Sequence, residues 1–269
     1  MSPSIVRREV LCKSILGKTG IRGFDYCINP YTGCSHGCHY CYASFMSRFS
    51  NHREKWGYFV DIKINAAYIL SKQLKSRKKP GGKVLIGTVT DAYQPDEARY
   101  KVTRSILELL ADYQMLEVHI LTKSALVKRD ISILSQLNMC KAGFSITTMN
   151  PKIARILEPG ASLPQMRISA AKELAKAGIP VWVFISPVLP GITDTEEALS
   201  SLLYTLHESG INEIMTDFLN PYSGVVRRLK YIYRRYLPDA VPVLNEYLVN
   251  PDIYKESTEY RINRLINRY

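Results

Sequence analysis

Short apolar runs alternate with stretches of helical period along most of the chain. The segments "FDYCINPY", "KVLIGTV" (83–89), "LEVHILT" (116–122), "AGFSITT" (142–148), "PVWVFISP" (180–187) and "NEIMTDFL" (212–219) are rich in β-branched and aromatic residues and read as strands. Between them, residues 98–113, 125–138, 165–178 and 194–209 place apolar side chains at i, i+3, i+4 spacing and read as helices. Gly178 stops one of these helices just before "IPVWVF". Thr193 and Asp194 start the next, with Glu196 and Glu197 at the positive end of its dipole.

This alternation predicts an α/β fold, a parallel sheet with helices outside it. Six βα units fall short of the eight that close a barrel, so the expected architecture is an open, partial (β/α)6 barrel of TIM type. Chemistry is expected at the C-terminal ends of the strands, where the chain reads "TGCSHGCHYCY", "TVTDAYQP", "TKS", "TTMNP", "SPVLPG" and "FLNPYSG". Residues 22–222 are expected to form this core. Residues 1–21 would precede it as an N-terminal extension, and 223–269 would follow it as a basic helical extension. The charged stretch "KSRKKPGGK" (75–83) reads as a solvated loop.

Composition changes the picture in three ways. No apolar run reaches the roughly 18 residues of a membrane span, and the N-terminus lacks the apolar core of a signal peptide. No membrane association and a cytoplasmic location are therefore expected. Six cysteines are too few to staple a chain of 269 residues, and in a reducing compartment clustered cysteines point to a metal. Cys12, Cys27 and Cys140 lie outside the cluster and read as small hydrophobes. A net charge of +12 suits a polyanionic partner, such as a nucleic-acid substrate, but says nothing about fold.

The cluster is Cys34-x3-Cys38-x2-Cys41, inside "NPYTGCSHGCHYCYA". Soft thiolates select zinc, copper(I) or iron–sulfur. A structural zinc site wants four protein ligands, and a structural [4Fe–4S] cluster usually has four cysteines. His36 or His39 completing a zinc site is one reading, in a non-catalytic nucleic-acid-binding protein. The chain offers no second cysteine pair at zinc spacing, however. Three cysteines on one tight loop can instead hold three irons of a [4Fe–4S] cube and leave the fourth open, with Gly33 and Gly37 letting the backbone wrap closely.

Cysteines at this spacing, with an aromatic before the last one, in a loop after the first strand of a partial barrel, resemble the radical S-adenosylmethionine (SAM) superfamily. That resemblance implies an enzyme with a [4Fe–4S] cluster on Cys34, Cys38 and Cys41. SAM would chelate the open iron, and a flavodoxin- or ferredoxin-like donor would supply the electron. Reductive cleavage of SAM would give a 5′-deoxyadenosyl radical that abstracts hydrogen from a substrate. Over about residues 22–222, "IGTVTDAYQPDE", "ILTKS", "FSITTMNPKIARILEPGA" and "ISPVLPGITD" further resemble the spore photoproduct lyase-like, or DNA repair photolyase-like, branch. A radical SAM modification of a peptide or small molecule is the alternative within the enzyme class.

The resemblance also assigns SAM contacts. It places Tyr40 beside the adenine, Thr88, Thr90 and Asp91 at the amino group, and Lys123 at the carboxylate or a ribose hydroxyl. Strand alternation sends Ser145 and Thr147 to one face, which suits the ribose or methionine. Leu189 and Gly191, in the turn after the fifth strand, would pack on the adenine. Glu158 and Arg167 are weaker carry-overs, equally readable as an ion pair at a helix end. The chain departs from the branch in one respect. Spore photoproduct lyases have a hydrogen-donating cysteine near the end of the second strand, where this chain reads "GTVTD". Photoproduct reversal is therefore not the expected reaction, and Tyr93 is a candidate hydrogen relay.

In the C-terminal extension, "SGVVRRLKYIYRRYL" sorts Arg227, Arg228, Lys230, Tyr231, Arg234 and Arg235 onto one helical face. Val225, Val226, Leu229, Ile232, Tyr233 and Tyr236 fall on the other. A basic face carrying an aromatic suits a nucleic-acid backbone; a plain solvated amphipathic helix is the other reading.

Overall fold

The structure, a computed structural model, describes residues 4–76 and 80–268. Its strands are β1 (Val6–Val10), β2 (Leu16–Lys18), β3 (Tyr26–Ile28), β4 (Tyr31–Gly33), β5 (Phe59–Lys63), β6 (Gly82–Ile86), β7 (Leu116–Thr122), β8 (Met139–Ser145), β9 (Val181–Val188) and β10 (Glu213–Phe218). The helices are α1 (Ala66–Leu74), α2 (Glu97–Tyr100), α3 (Val102–Ala111), α4 (Ile131–Leu134), α5 (Pro151–Leu157), α6 (Pro164–Lys176), α7 (Glu196–His207), α8 (Ser223–Tyr236), α9 (Val241–Val249) and α10 (Pro251–Ile266).

β3, β6, β7, β8, β9 and β10 form a run of parallel strands in that order. These six match the predicted strands, and among the described residues β10 pairs only with β9 and does not close onto the β3 end of the sheet, as in an open partial barrel. Val84, Ile86, Val118, Ile120, Phe144, Val183 and Ile185 are fully buried between the strands and the helices, which explains the near-continuous apolar runs.

The ends of the chain are more deeply involved than extensions would be. β1 pairs in parallel with β5, and β2 adds an antiparallel edge to β3. β4 and β5 build a second, three-stranded sheet with β1 that cradles the cysteine loop. At the other end, α8 and α9 bury Val225, Leu229, Ile232, Tyr233, Leu244 and Tyr247 against Leu157, Leu189 and Leu219 of the barrel. Of the loop read over 75–83, residues 77–79 lie outside the described residues.

Two predicted helices are interrupted by buried carboxylates. The one expected over 98–113 breaks at Lys101, a left-handed residue with φ 52°. There the Glu97 carboxylate accepts from the N–H groups of Thr103 and Arg104 and caps α3. The one expected over 125–138 opens as a 3-10 turn, Ala125–Asp130, and is followed only by the short α4. Asp130 at that junction is fully buried and paired with Arg104 and Arg129. α7 is capped by the Thr195 hydroxyl, which accepts from Ala198 N–H, rather than by Thr193 or Asp194.

Candidate active site

The C-terminal ends of β6, β7, β8, β9 and β10, together with the cysteine loop that follows β4, surround a cavity of about 370 Å³. Its cysteine wall holds Cys34, Cys38 and Cys41 together with Tyr40. Thr88, Thr90 and Asp91 enter after β6, Lys123 after β7, and Ser145 at the end of β8. The opposite wall carries Ser186 and Pro187 of β9 and Asp217, Phe218 and Asn220 at the end of β10. Long-range folding thus unites residues spread from position 34 to position 220.

The cysteine loop is held by buried polar side chains rather than by regular structure. Gln94 Oε1 accepts from the backbone N–H and the hydroxyl of Ser35, at 2.8 and 3.1 Å. The Thr90 hydroxyl donates to the Gly33 carbonyl. His39 N–H donates to the Leu157 carbonyl at the end of α5, at 2.9 Å. Gly33 and Gly37 sit at φ 84° and 61°, the left-handed region that lets the chain turn just before Cys34 and again between Cys34 and Cys38. Gly160 explains the "EPG" stretch. Its N–H donates to the His36 carbonyl, and a Cβ there would lie 2.3 Å from the Ser35 carbonyl oxygen.

Asp91 is the hub of this arrangement. Its Oδ1 accepts from Tyr93 N–H and the Thr122 hydroxyl, and its Oδ2 from Lys123 N–H, all at 2.7–2.8 Å. His36 Nδ1 lies 3.3 Å from Oδ2, a close contact that falls short of hydrogen-bond geometry. Burial alone would raise the Asp91 carboxyl, but His36 and these donors outweigh it and hold it well below the usual carboxylate range. "TVTD" therefore reaches the cavity as predicted, yet Thr90 and Asp91 spend their polar atoms on the protein itself. Thr88 Oγ1 accepts from Asn29 Nδ2, and its carbonyl accepts from the Tyr42 hydroxyl.

A second buried network stands behind Tyr40. Its hydroxyl donates to Glu158, and Glu158 is paired with Arg167. Arg167 also donates to the carbonyls of Ser162 and Ser145, both at 2.8 Å. Glu158 and Arg167 are almost wholly buried, so the ion-pair reading of these two holds. Burial opposes the charge on Glu158, but Arg167 and then Lys123 override it, and the carboxyl is held below its ordinary value. Lys123 Nζ itself stands 5.8 Å from the centre of the Tyr40 ring.

Several expected contacts are displaced. Thr147 lies beyond the end of β8, and its hydroxyl donates to Glu158 at 3.4 Å instead of lining the cavity. Leu189 and Gly191 turn away from the cavity. Leu189 is fully buried among α8 and α9, and Gly191 borders a separate groove beside Asp194 and Val243. The physical reason is that β9 runs on to Val188, so the turn passes the cavity rim and falls under the C-terminal helices. Tyr93 is fully buried and outside the cavity. Cys140 sits near the start of β8, at the far end of the strand from Ser145. Among the described residues, the only cysteines lining the cavity are the clustered three. Gln94, Ser186, Asp217 and Asn220 were not singled out from the sequence, because nothing local distinguishes them from ordinary loop residues.

The donor set fits a thiolate-held iron–sulfur cluster. Cys34 is packed with Ala43, Trp56 and Phe59, and Cys41 lies against the same cluster. Burial pushes the Cys34 thiol up to about 12 and raises Cys38 and Cys41 as well. Iron binding must therefore displace the protons. The Lys123 ammonium works against burial at Cys38 and Cys41, favouring their charged forms. Among the described residues no three His, Cys, Asp or Glu side chains converge as a single ion would need. A four-iron cube separates its thiolates more widely than one ion does, so the shared cavity is the relevant criterion.

Comparison with known proteins agrees. The chain matches the Radical SAM superfamily over residues 28–203. It is 31% identical over 268 residues to an uncharacterized protein of Methanocaldococcus jannaschii, covering 98% of this chain and 95% of that one. A Radical SAM Nalpha-GlyT isomerase of Pseudomonas phage M6 is 27% identical over 81% of this chain and 44% of its own length. A variant of spore photoproduct lyase superposes with a TM-score of 0.70 at 16% identity, covering 98% of this chain and 79% of the lyase. The lyase complexed with a dinucleoside spore photoproduct gives a TM-score of 0.64 at 17% identity, over 86% of this chain and 66% of its own length. The zinc reading of the cysteines gives way to these findings. The chain belongs to the Radical SAM superfamily and is an enzyme of the [4Fe–4S] cluster and SAM.

Proposed function

We propose that this enzyme abstracts hydrogen from a nucleic-acid substrate, with Cys34, Cys38 and Cys41 as the cluster ligands. When bound, the cluster and SAM supply a 5′-deoxyadenosyl radical after one-electron reduction, for which a flavodoxin- or ferredoxin-like donor in a reducing cytoplasm is suited. Tyr40, Thr88, Lys123 and Ser145 line the cavity where SAM would lie. Lys123 brings the cation for its carboxylate. Thr90 and Asp91 shape that wall through their internal bonds. Ser186, Asp217 and Asn220 then face the substrate from the opposite wall.

The observation that supports nucleic acid is the position of α8. The chain passes from cavity-lining Asn220 into this helix within three residues. Arg227, Tyr231, Arg234 and Arg235 are exposed along it, with Tyr231 59% accessible, while Arg228 approaches His39 and Cys41. A substrate lying along the basic face would therefore reach the cavity mouth. The spore photoproduct lyase neighbours support the same substrate class, since one is solved with a dinucleoside photoproduct. Photoproduct reversal itself is not proposed, because the end of β6 presents Gly87–Asp91 and no thiol.

The test combines loading with binding. Anaerobically reconstituted protein should hold about four irons and cleave SAM with dithionite, and Cys38→Ala should lose both. Affinity for single-stranded oligonucleotides should fall steeply with salt. Cluster assembly in Cys38→Ala would overturn the ligand assignment. Salt-independent or absent oligonucleotide binding would overturn the substrate class and favour the peptide or small-molecule reading.

A further inference from the structure

The segment that follows the cysteines leads from the cavity into solvent through aromatic and basic side chains. Tyr42–Phe49 form a 3-10 turn. One side of it is anchored, with Ala43 buried beside Cys34, Trp56 and Phe59, and Met46 packed against that cluster. Three residues per turn bring Tyr42, Phe45 and Arg48 into a separate row, about 6 Å apart along the axis. The row starts at the cavity, which Tyr42 lines, and Tyr42 is itself 47% exposed. It ends beside Phe49, about 14 Å further along at the rise of such a turn.

The outer end of the row is preorganised. Arg48 Nε donates to the Phe45 carbonyl at 3.1 Å. Its guanidinium carbon stands 5.5 Å from the centre of the Phe45 ring and 5.3 Å from that of Phe49. Among the described residues Arg48 has no carboxylate partner, and residues 42–53 hold Arg48 and Arg53 but no Asp or Glu. This positive charge is therefore open to an anion. Phe49 is 71% exposed and joins none of the buried clusters, so packing does not account for an aromatic at this position. The turn also packs against α8, the helix whose arginines face solvent. Exposed rings beside uncompensated arginines have the chemistry that a nucleic-acid strand offers in complement, flat bases joined by phosphates.

We propose that Phe49, with Arg48 against its ring, is a base-stacking platform for an unpaired nucleic-acid strand. The phosphates of that strand run along α8, and its target nucleotide enters the cavity over Tyr42. The platform rests on the nucleic-acid reading of the substrate and narrows it to unpaired strands, because a base inside a duplex has both faces covered by its neighbours.

The experiment measures binding of the full-length protein to a single-stranded oligonucleotide, to a fully abasic strand of equal length and to the duplex, across salt. The parent should bind the intact strand more tightly than the abasic one. Phe49→Ala should weaken the intact strand about tenfold. Its salt slope should stay that of the parent, because no phosphate contact is lost. Phe49→Trp, which keeps a ring, should retain the parent's affinity. The abasic strand and the duplex should not distinguish the three proteins. Salt-dependent binding that is equal for intact and abasic strands, or equal in Phe49→Ala and the parent, would overturn the platform and leave the nucleic-acid reading standing. An equal loss on the duplex would also overturn it. Failure of the parent to bind any of the three probes would overturn the nucleic-acid reading and the platform together.

Discussion

Glu158 shows what a single residue does in this site. It does not line the cavity, yet it links Tyr40 beside the cysteines to Arg167 under β8. Replacing it with Gln strands the Arg167 guanidinium in the interior, and breaking a buried pair costs about 3–5 kcal/mol. The pH dependence has a definite sign. Glu158 titrates below its ordinary value in the folded chain, so its contribution is present above about pH 4.3, the unperturbed value, and is lost as the pH falls through the folded one. Denaturant titrations of the apo protein should show a loss of stability on acidification that is shallower in Glu158→Gln. An equal slope in the two proteins would mean that the pair carries no linked proton. Gln94 is a parallel case with a smaller effect. Gln94→Leu leaves the buried Ser35 N–H without its acceptor, at a cost of about 1–3 kcal/mol, and should reduce iron loading in proportion.

Among the elements, α8 carries two tasks on opposite faces. Val225, Leu229, Ile232 and Tyr233 close over the barrel turn that holds Leu189, and the Tyr233 hydroxyl donates to the Pro190 carbonyl at 3.0 Å. The arginine face is left to solvent. Replacing Arg227, Arg234 and Arg235 with Glu should leave folding and SAM cleavage intact. It should flatten the salt dependence of oligonucleotide binding, by about 0.7 in slope for each phosphate of a single strand that is no longer neutralised. An unchanged slope would put the phosphate-binding surface elsewhere. The helix pattern itself was visible in the sequence, since 3.6-residue periodicity separates the two faces over four turns. The sequence pattern misplaced Tyr236, which is 49% exposed, because the helix ends there and the chain turns toward a 3-10 turn at Pro238.

At the scale of the whole molecule, the site depends on both ends of the chain. β1 completes the sheet beneath the cysteine loop, and α8 and α9 roof the cluster formed by Cys38, Tyr40, Leu157 and Leu219. A chain ending after Tyr222 would expose those apolar side chains. It should aggregate and load little iron, as judged by light scattering and an iron assay after reconstitution. Full loading in that truncated form would show that the C-terminal helices are an independent attachment.

Local sequence was enough to specify the six parallel strands, the partial barrel and the cysteine cluster, because each of these is written in periodicity or spacing. It also carried Thr88, Lys123 and Ser145 to the cavity, since residues at the C-terminal ends of parallel strands share one side of the sheet. Tertiary packing decided the rest. Thr90 and Asp91 are occupied by partners 31 to 57 positions away, and Thr147 is drawn to a carboxylate eleven positions on. Leu189 and Gly191 are taken by helices that begin only at Ser223. A side chain's periodicity states which face it occupies, but its partner is chosen by whatever distant segment packs there. The wall of Ser186, Asp217 and Asn220 likewise exists only once β9 and β10 close beside the cysteine loop.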